Sequence, residues 1–121
     1  MILLTVKDVE THVALVPLIK AKGYDVLPAE CGDDALHCVR TFRPRLIILD
    51  CGLPDSFEIL GAIRKEKGGQ KTPIVMFSQG DQDIKERAIE RGADGFVAKG
   101  SLDWAKLLDK IIYFVGPPEE T

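Results

Sequence analysis

Apolar residues recur along this chain in two rhythms. Ile2-Leu3-Leu4, Leu46-Ile47-Ile48-Leu49 and Ile74-Val75-Met76-Phe77 are short unbroken runs that end at polar or turn residues. That is the signature of strands buried on both faces. Residues 24–28 and 96–98 are two shorter candidates. Between the runs, the apolar positions spread to helical spacing. The segment 8–22 is predicted helical, with Val9, Val13 and Val16 on one side and Leu15, Leu18 and Ile19 beside them. Pro17 inside it predicts a kink or a late start, and Gly23 a stop. Asp33 is the expected N-cap of a helix over 34–41. A helix over 56–65 follows, with Phe57, Leu60 and Ile63 in step. Asp81 is the expected cap of a very polar helix over 82–91. Ser101 or Asp103 is expected to cap the last helix, which runs to about Val115. There Leu108, Ile111 and Val115 suit the core, while Trp104, Leu107 and Phe114 lie partly off that stripe. Gly116-Pro117-Pro118 ends it.

Five strands alternating with five helices predict an α/β fold with a parallel sheet and helices on both faces. Right-handed crossovers and a length of 121 residues favour one doubly wound, flavodoxin-like (βα)5 domain of strand order 2-1-3-4-5. The domain is expected over 1–116, with 117–121 a tail or the start of a linker. The composition, 45% hydrophobic and 29% charged, argues against disorder. A net charge of −3 leaves no general basic footprint for nucleic acid. No apolar run approaches the roughly 20 residues of a membrane helix, and the apolar start is too short for a signal peptide. Cys31, Cys38 and Cys51 make an odd count without metal-type spacing, so reduced thiols in a cytoplasmic protein are expected. Cys51, beside Asp50, is the one placed to react. His12 and His37 fit no catalytic or metal constellation.

In an open sheet of this order, ligands bind beyond the carboxyl ends of the strands. Four polar features fall there: the Val6-Lys7-Asp8 turn, Asp50, Ser78 and Lys99. Each alone is an ordinary turn or loop residue; the fold brings them to one crevice. Such a set suits phosphoryl transfer to a carboxylate. An aspartate can act as nucleophile and form an acyl phosphate, a lysine can neutralise phosphoryl charge, and a hydroxyl can donate to a phosphoryl oxygen. A divalent cation, normally Mg²⁺, would bridge the groups.

Over nearly all its length the chain resembles the receiver domains of bacterial two-component response regulators. The resemblance rests on Asp50 before Leu53-Pro54-Asp55, on Ser78 closing Pro73-Ile74-Val75-Met76-Phe77-Ser78, and on Gly92-Ala93-Asp94-Gly95-Phe96-Val97-Ala98-Lys99. It implies that Asp50 is the phosphoacceptor, Ser78 the switch hydroxyl, Phe96 the switch aromatic and Lys99 the phosphate-neutralising lysine. Three features depart from the family pattern. Val6 and Lys7 stand at the acidic pair that holds Mg²⁺. Phe57 stands near a missing glycine after a loop about two residues shorter. Gly100, not proline, follows Lys99. The implied metal site is reduced to Asp50, Asp8 and the Gly52 backbone, and is expected to be weak or absent, with the Lys7 ammonium in the metal's place beside Asp50. The resemblance therefore implies a phosphorelay receiver, not an enzyme, with weakened Mg²⁺-dependent phosphorylation. The alternative is a pseudo-receiver acting by protein contact. A flavin carrier is the remote alternative, opposed by the lack of a Gly-rich loop after the first strand; no organic cofactor is expected. The implied partners are a histidine kinase or phosphotransfer protein, and a protein partner or second copy at the fourth and fifth helices. Neither nucleic acid nor membrane is expected as a partner.

Overall fold

Three runs of aliphatic residues build the middle of the sheet. In the computed structural model, which describes residues 1–78, 82–98 and 104–116 (Gln82 by its backbone alone), β1 spans Ile2–Thr5, β2 Val26–Ala29, β3 Leu46–Asp50, β4 Ile74–Ser78 and β5 Gly95–Ala98. The helices are α1 Val9–Ala21, α2 Gly32–Phe42, α3 Ser56–Lys65, α4 Gln82–Glu90 and α5 Ala105–Val115. The strands are parallel in the order β2-β1-β3-β4-β5, as the alternation predicts. Every residue of β1, β3 and β4 is buried, which explains why these runs do not alternate with polar residues.

The two-residue side-chain period divides the core. Ile2, Leu4, Leu46, Ile48, Val75 and Phe77 pack with Leu15 and Ile19 of α1 and Leu107 and Ile111 of α5. Leu3, Ile47, Leu49, Ile74 and Met76 face the other way, onto Val39 of α2, Ile59, Leu60 and Ile63 of α3, and Ala88 of α4. Register sets the ends of the strands: Asp50 lies beside Phe77, and Ser78 beside Ala98.

Several expectations change at the helices. In α1 the buried stripe is Thr11, Leu15 and Ile19, while Val9 and Val13 are 63% and 69% exposed. The Thr11 hydroxyl can be buried because it donates to Asp8 Oδ2 at 3.0 Å. The helix runs through Pro17 without a late start. The carbonyl that Pro17 cannot serve is that of Val13, on an exposed turn where water can take it. The N-cap of α2 is Cys31, in extended conformation, and not Asp33, which lies in the first turn with Asp34, where both carboxylates interact favourably with the positive end of the helix dipole. In α5, Ile111 is fully buried as expected and Leu108 and Val115 pack partly buried against the same core, but Leu107, expected partly off the stripe, is fully buried as well. The cap position of α5 is Trp104; Ser101 and Asp103, like Asp81 and the tail 117–121, lie outside the described residues.

One side chain ties two loops together. Arg64, near the end of α3, donates to the carbonyls of Gly69 (3.0 Å), Thr72 (2.6 Å) and Gly92 (2.7 Å), and pairs with Asp94 at 2.6 Å. The same Asp94 oxygen accepts from the Ile74 amide at 2.9 Å, at the start of β4. The loop passes so close to the end of α3 that a Cβ at Gly69 would collide with the Ile63 carbonyl. On β2's side of the sheet, the Tyr24 hydroxyl donates to the Gly116 carbonyl at 2.6 Å and holds the end of α5.

Candidate functional site

Asp50 closes the central strand and is only 7% exposed. The sheet ladder continues one residue past it, through Cys51 N to Phe77 O at 2.9 Å. The chain then turns back: Leu53 N reaches Asp50 O at 3.2 Å, and Gly52 N donates to Asp50 Oδ1 at 2.8 Å. A Cβ on Gly52 would stand 3.1 Å from that oxygen, so a bare Cα lets the turn fold tightly over the carboxylate. Oδ1 is thus oriented by an amide; no described group is bonded to Oδ2.

An open cleft of about 600 Å³ lies in front of Asp50, lined by Lys7, Asp8, Val9, Glu10, Asp50 and Gly52. The turn on its far side is fixed at three points. The Val6 side chain is fully buried in the α1–α5 half of the core. The Val6 carbonyl lies 2.7 Å from His12 Nε2; a carbonyl only accepts, so Nε2 carries the proton. Asp8 is the N-cap of α1, accepting from Glu10 N and from the Thr11 hydroxyl, both at 3.0 Å. Lys7 is exposed at the rim of the cleft. It forms no ion pair with Asp50, so the expected Lys7–Asp50 contact is absent although both line one cleft. His12, which fits no catalytic or metal constellation in the sequence, holds the turn here, and Glu10 joins the rim of the cleft. The signal for His12 was its position, one helical turn after the cap residue.

Ser78 ends β4 with 9% exposure, next to the Asp50–Phe77 pair. Phe96 on β5 is half-buried and packs against the α2–α4 half of the core, opposite Met76. Lys99, Gly100 and the residues to 103 lie outside the described residues.

Does this set suit a magnesium ion? Mg²⁺ is commonly held by one or two carboxylates, with waters and phosphate oxygens completing the shell. Asp50 and Asp8 meet that minimum, with Glu10 at the rim. Both Asp8 oxygens already accept capping bonds, and among the described residues no three ligating side chains converge. The donors fit a sparse, water-rich site and not a carboxylate cage.

Cys51 is not the reactive thiol its position suggests. Burial, and next the negative charge of Asp50, push its pKa up to about 12. Thiol reactivity follows the thiolate fraction. At pH 7–8 Cys51 should therefore react with iodoacetamide roughly a thousandfold more slowly than a free cysteine of pKa about 8.5, and peptide mapping should find the exposed Cys31 modified first. Rapid labelling of Cys51 would contradict this placement.

A buried acid closes the central strand of a 2-1-3-4-5 sheet, under a glycine turn and facing a polar cleft, which is a doubly wound α/β fold with its cleft at the carboxyl ends of the strands. The chain belongs to the response regulator receiver domain family, whose model matches residues 3–112. It is 36% identical over 101 residues to the alkaline phosphatase synthesis transcriptional regulatory protein PhoP of Bacillus subtilis, covering 80% of this chain and 41% of PhoP. It is 35% identical over 84 residues to the transcriptional regulatory protein KdpE of Mycobacterium tuberculosis, covering 67% and 36% of the two chains. The chain thus spans well under half the length of these curated relatives. Among solved structures, the Vibrio cholerae chemotaxis protein CheY4 shares the fold with a TM-score of 0.85 at 24% identity, covering 93% of this chain and 96% of CheY4. Thermotoga maritima TrrA, solved with Mg²⁺ and beryllofluoride, has a TM-score of 0.81 at 25% identity, covering 93% and 96%. Among the described residues, no helix is long and apolar enough to cross a membrane.

Proposed function

We propose that this receiver domain, residues 1–116, accepts a phosphoryl group on Asp50 in a Mg²⁺-dependent reaction that is weakened by a poor metal site. The observation that carries the reading is the Asp50 carboxylate itself, buried at 7% exposure, amide-bonded through one oxygen and with no described group bonded to the other. In the reaction, Oδ2 attacks the phosphorus of a phosphohistidine on a histidine kinase or phosphotransfer protein. The O–P bond forms as the P–N bond breaks, and the departing imidazole leaves with the bonding pair and takes up a proton. Gly52 N–H holds the carboxylate in line. Ser78 supplies the hydroxyl that meets the phosphoryl oxygens, Lys99 neutralises their charge, and Phe96 responds to the Ser78 movement. Lys7, on the opposite rim, adds a second cation. Asp50, Asp8 and the Gly52 carbonyl would hold Mg²⁺, which when bound offsets charge between carboxylate and phosphoryl oxygens. Three free thiols suit a cytoplasmic setting.

The second reading, a pseudo-receiver working by contact alone, is favoured by Val6 and Lys7 at the metal-binding turn. It draws on the exposed Ile89 of α4 and Ile112 and Tyr113 of α5 as a surface for a protein partner or second copy.

Treatment with beryllofluoride and with a small acyl phosphate donor, across a Mg²⁺ series, separates the two. Phosphorylation at Asp50, seen by intact mass and abolished in Asp50→Asn, is the expected result, with half-saturation at millimolar Mg²⁺ or above. Unmoved amide spectra at Asp50, Ser78 and α4, at any Mg²⁺ concentration, would establish the pseudo-receiver.

A further inference from the structure

The helix α4 is poorly anchored by burial. Its sequence, Gln82–Glu90, is strongly polar, and among its described side chains only Ala88 is fully buried, with Ile84 half-buried and Ile89 45% exposed. What it does have is an attachment to α3. The guanidinium of Arg87 lies over the Phe57 ring at 4.7 Å from the centroid, and that of Arg91, bonded into the same helical turn through its amide to Arg87 O, lies at 5.3 Å. Two cations on one ring are both within cation–π range. Phe57 is the second residue of α3. It follows directly on the turn that folds over Asp50, in which Leu53 N bonds Asp50 O and Ser56 N bonds Leu53 O. The ring that grips α4 is therefore one short, hydrogen-bonded turn away from the phosphoacceptor.

We propose that the stack of Arg87 and Arg91 on Phe57 is a latch that holds α4 in its resting place against α3, and that opening it favours the occupied form of the Asp50 site. The second half rests on the reading of Asp50 as phosphoacceptor. The latch is thermodynamic. Whatever tightens the Phe57 contact penalises a form in which α4 moves, and by linkage whatever stabilises that form at Asp50 loosens the contact.

Two variants test it: Phe57→Leu, which keeps apolar bulk and removes the π face, and Arg87→Gln with Arg91→Gln, which removes the cations at exposed positions. Amide hydrogen exchange should quicken across residues 86–91 by about five- to thirtyfold in either variant, with no change in β1 or α2. The triple variant should exchange no faster than the single one, because both changes break one contact. Beryllofluoride with Mg²⁺ should bind the variants roughly threefold or more tightly than wild type. Unchanged exchange in α4 overturns the latch, as does faster exchange spread evenly over the whole domain. Faster exchange in α4 with unaltered beryllofluoride affinity overturns its coupling to Asp50. If wild type binds no beryllofluoride, the phosphoacceptor reading fails, and the exchange measurements alone decide the latch.

Discussion

Replacing Lys7 by aspartate is expected to tighten Mg²⁺ binding in the Asp50 cleft by roughly thirtyfold. Lys7 and Asp50 line the same open cleft, and the substitution changes the charge at its rim by two units. Against a divalent ion about 5 Å away, in the dielectric of water, that swing is worth about 3 kcal/mol. Salt and the open geometry reduce it to about 2 kcal/mol, which is the stated factor. Lys7→Ala removes only half of the swing and should gain about fivefold. An amide-detected Mg²⁺ titration of the three proteins measures the series. A wild-type midpoint in the ordinary sub-millimolar range, or identical midpoints for all three, would mean that Lys7 exerts no field on the site. The order alanine between lysine and aspartate separates a charge effect from a newly created ligand, since alanine supplies no oxygen.

Arg64→Ala is expected to cost about 3 kcal/mol of stability. Its guanidinium satisfies the Gly69, Thr72 and Gly92 carbonyls and the Asp94 carboxylate at once. Gly69 is buried and pressed against the Ile63 carbonyl, so water cannot readily take the vacated place. Bonds to a charged donor are each worth about 1.5–3 kcal/mol, but they share one side chain and do not add fully. For a domain of this size the loss corresponds to a fall of roughly 10 °C in Tm. Arg64→Lys keeps the charge and loses the fork, and should recover less than half. Urea unfolding of the three proteins gives the values directly; an Arg64→Ala midpoint within error of wild type would show that the loops are held by other means.

The sheet was legible because its chemistry is monotonous. A run such as Leu46 to Leu49 has no polar face, and only a strand covered on both sides accepts that. The same logic placed Asp50 at a carboxyl end and Ser78 beside it. Helix faces were harder. In α1 apolar residues occur on almost every side, and the sequence does not say which stripe meets the sheet; the buried one includes Thr11, a polar residue made acceptable by Asp8. In α5 the buried face is broader than the expected stripe: Ile111 holds its place and Leu107 joins it, with Leu108 and Val115 at the edge. The candidate site was legible as a set of positions and not as a set of contacts. That Lys7 lines the cleft follows from its place in the chain. That it forms no ion pair with Asp50, while His12 and Asp8 fix the turn around it, depends on side-chain geometry, which spacing does not encode.

The two residues at that turn differ in how freely they can change. Lys7 stands in solvent, and position 7 can pass from cation to neutral to anion with small effects on folding. Val6 is fully enclosed among Leu4, Phe77 and their neighbours. A carboxylate there would have to be buried unpaired or drag the turn away from the sheet, at a cost of several kcal/mol. Mutational drift can therefore retune the cleft's appetite for cations through one side chain alone. Recovering a two-acid turn would require compensating changes in the core to arrive first, so the order of substitutions, and not only their sum, governs which descendants of this sequence remain folded.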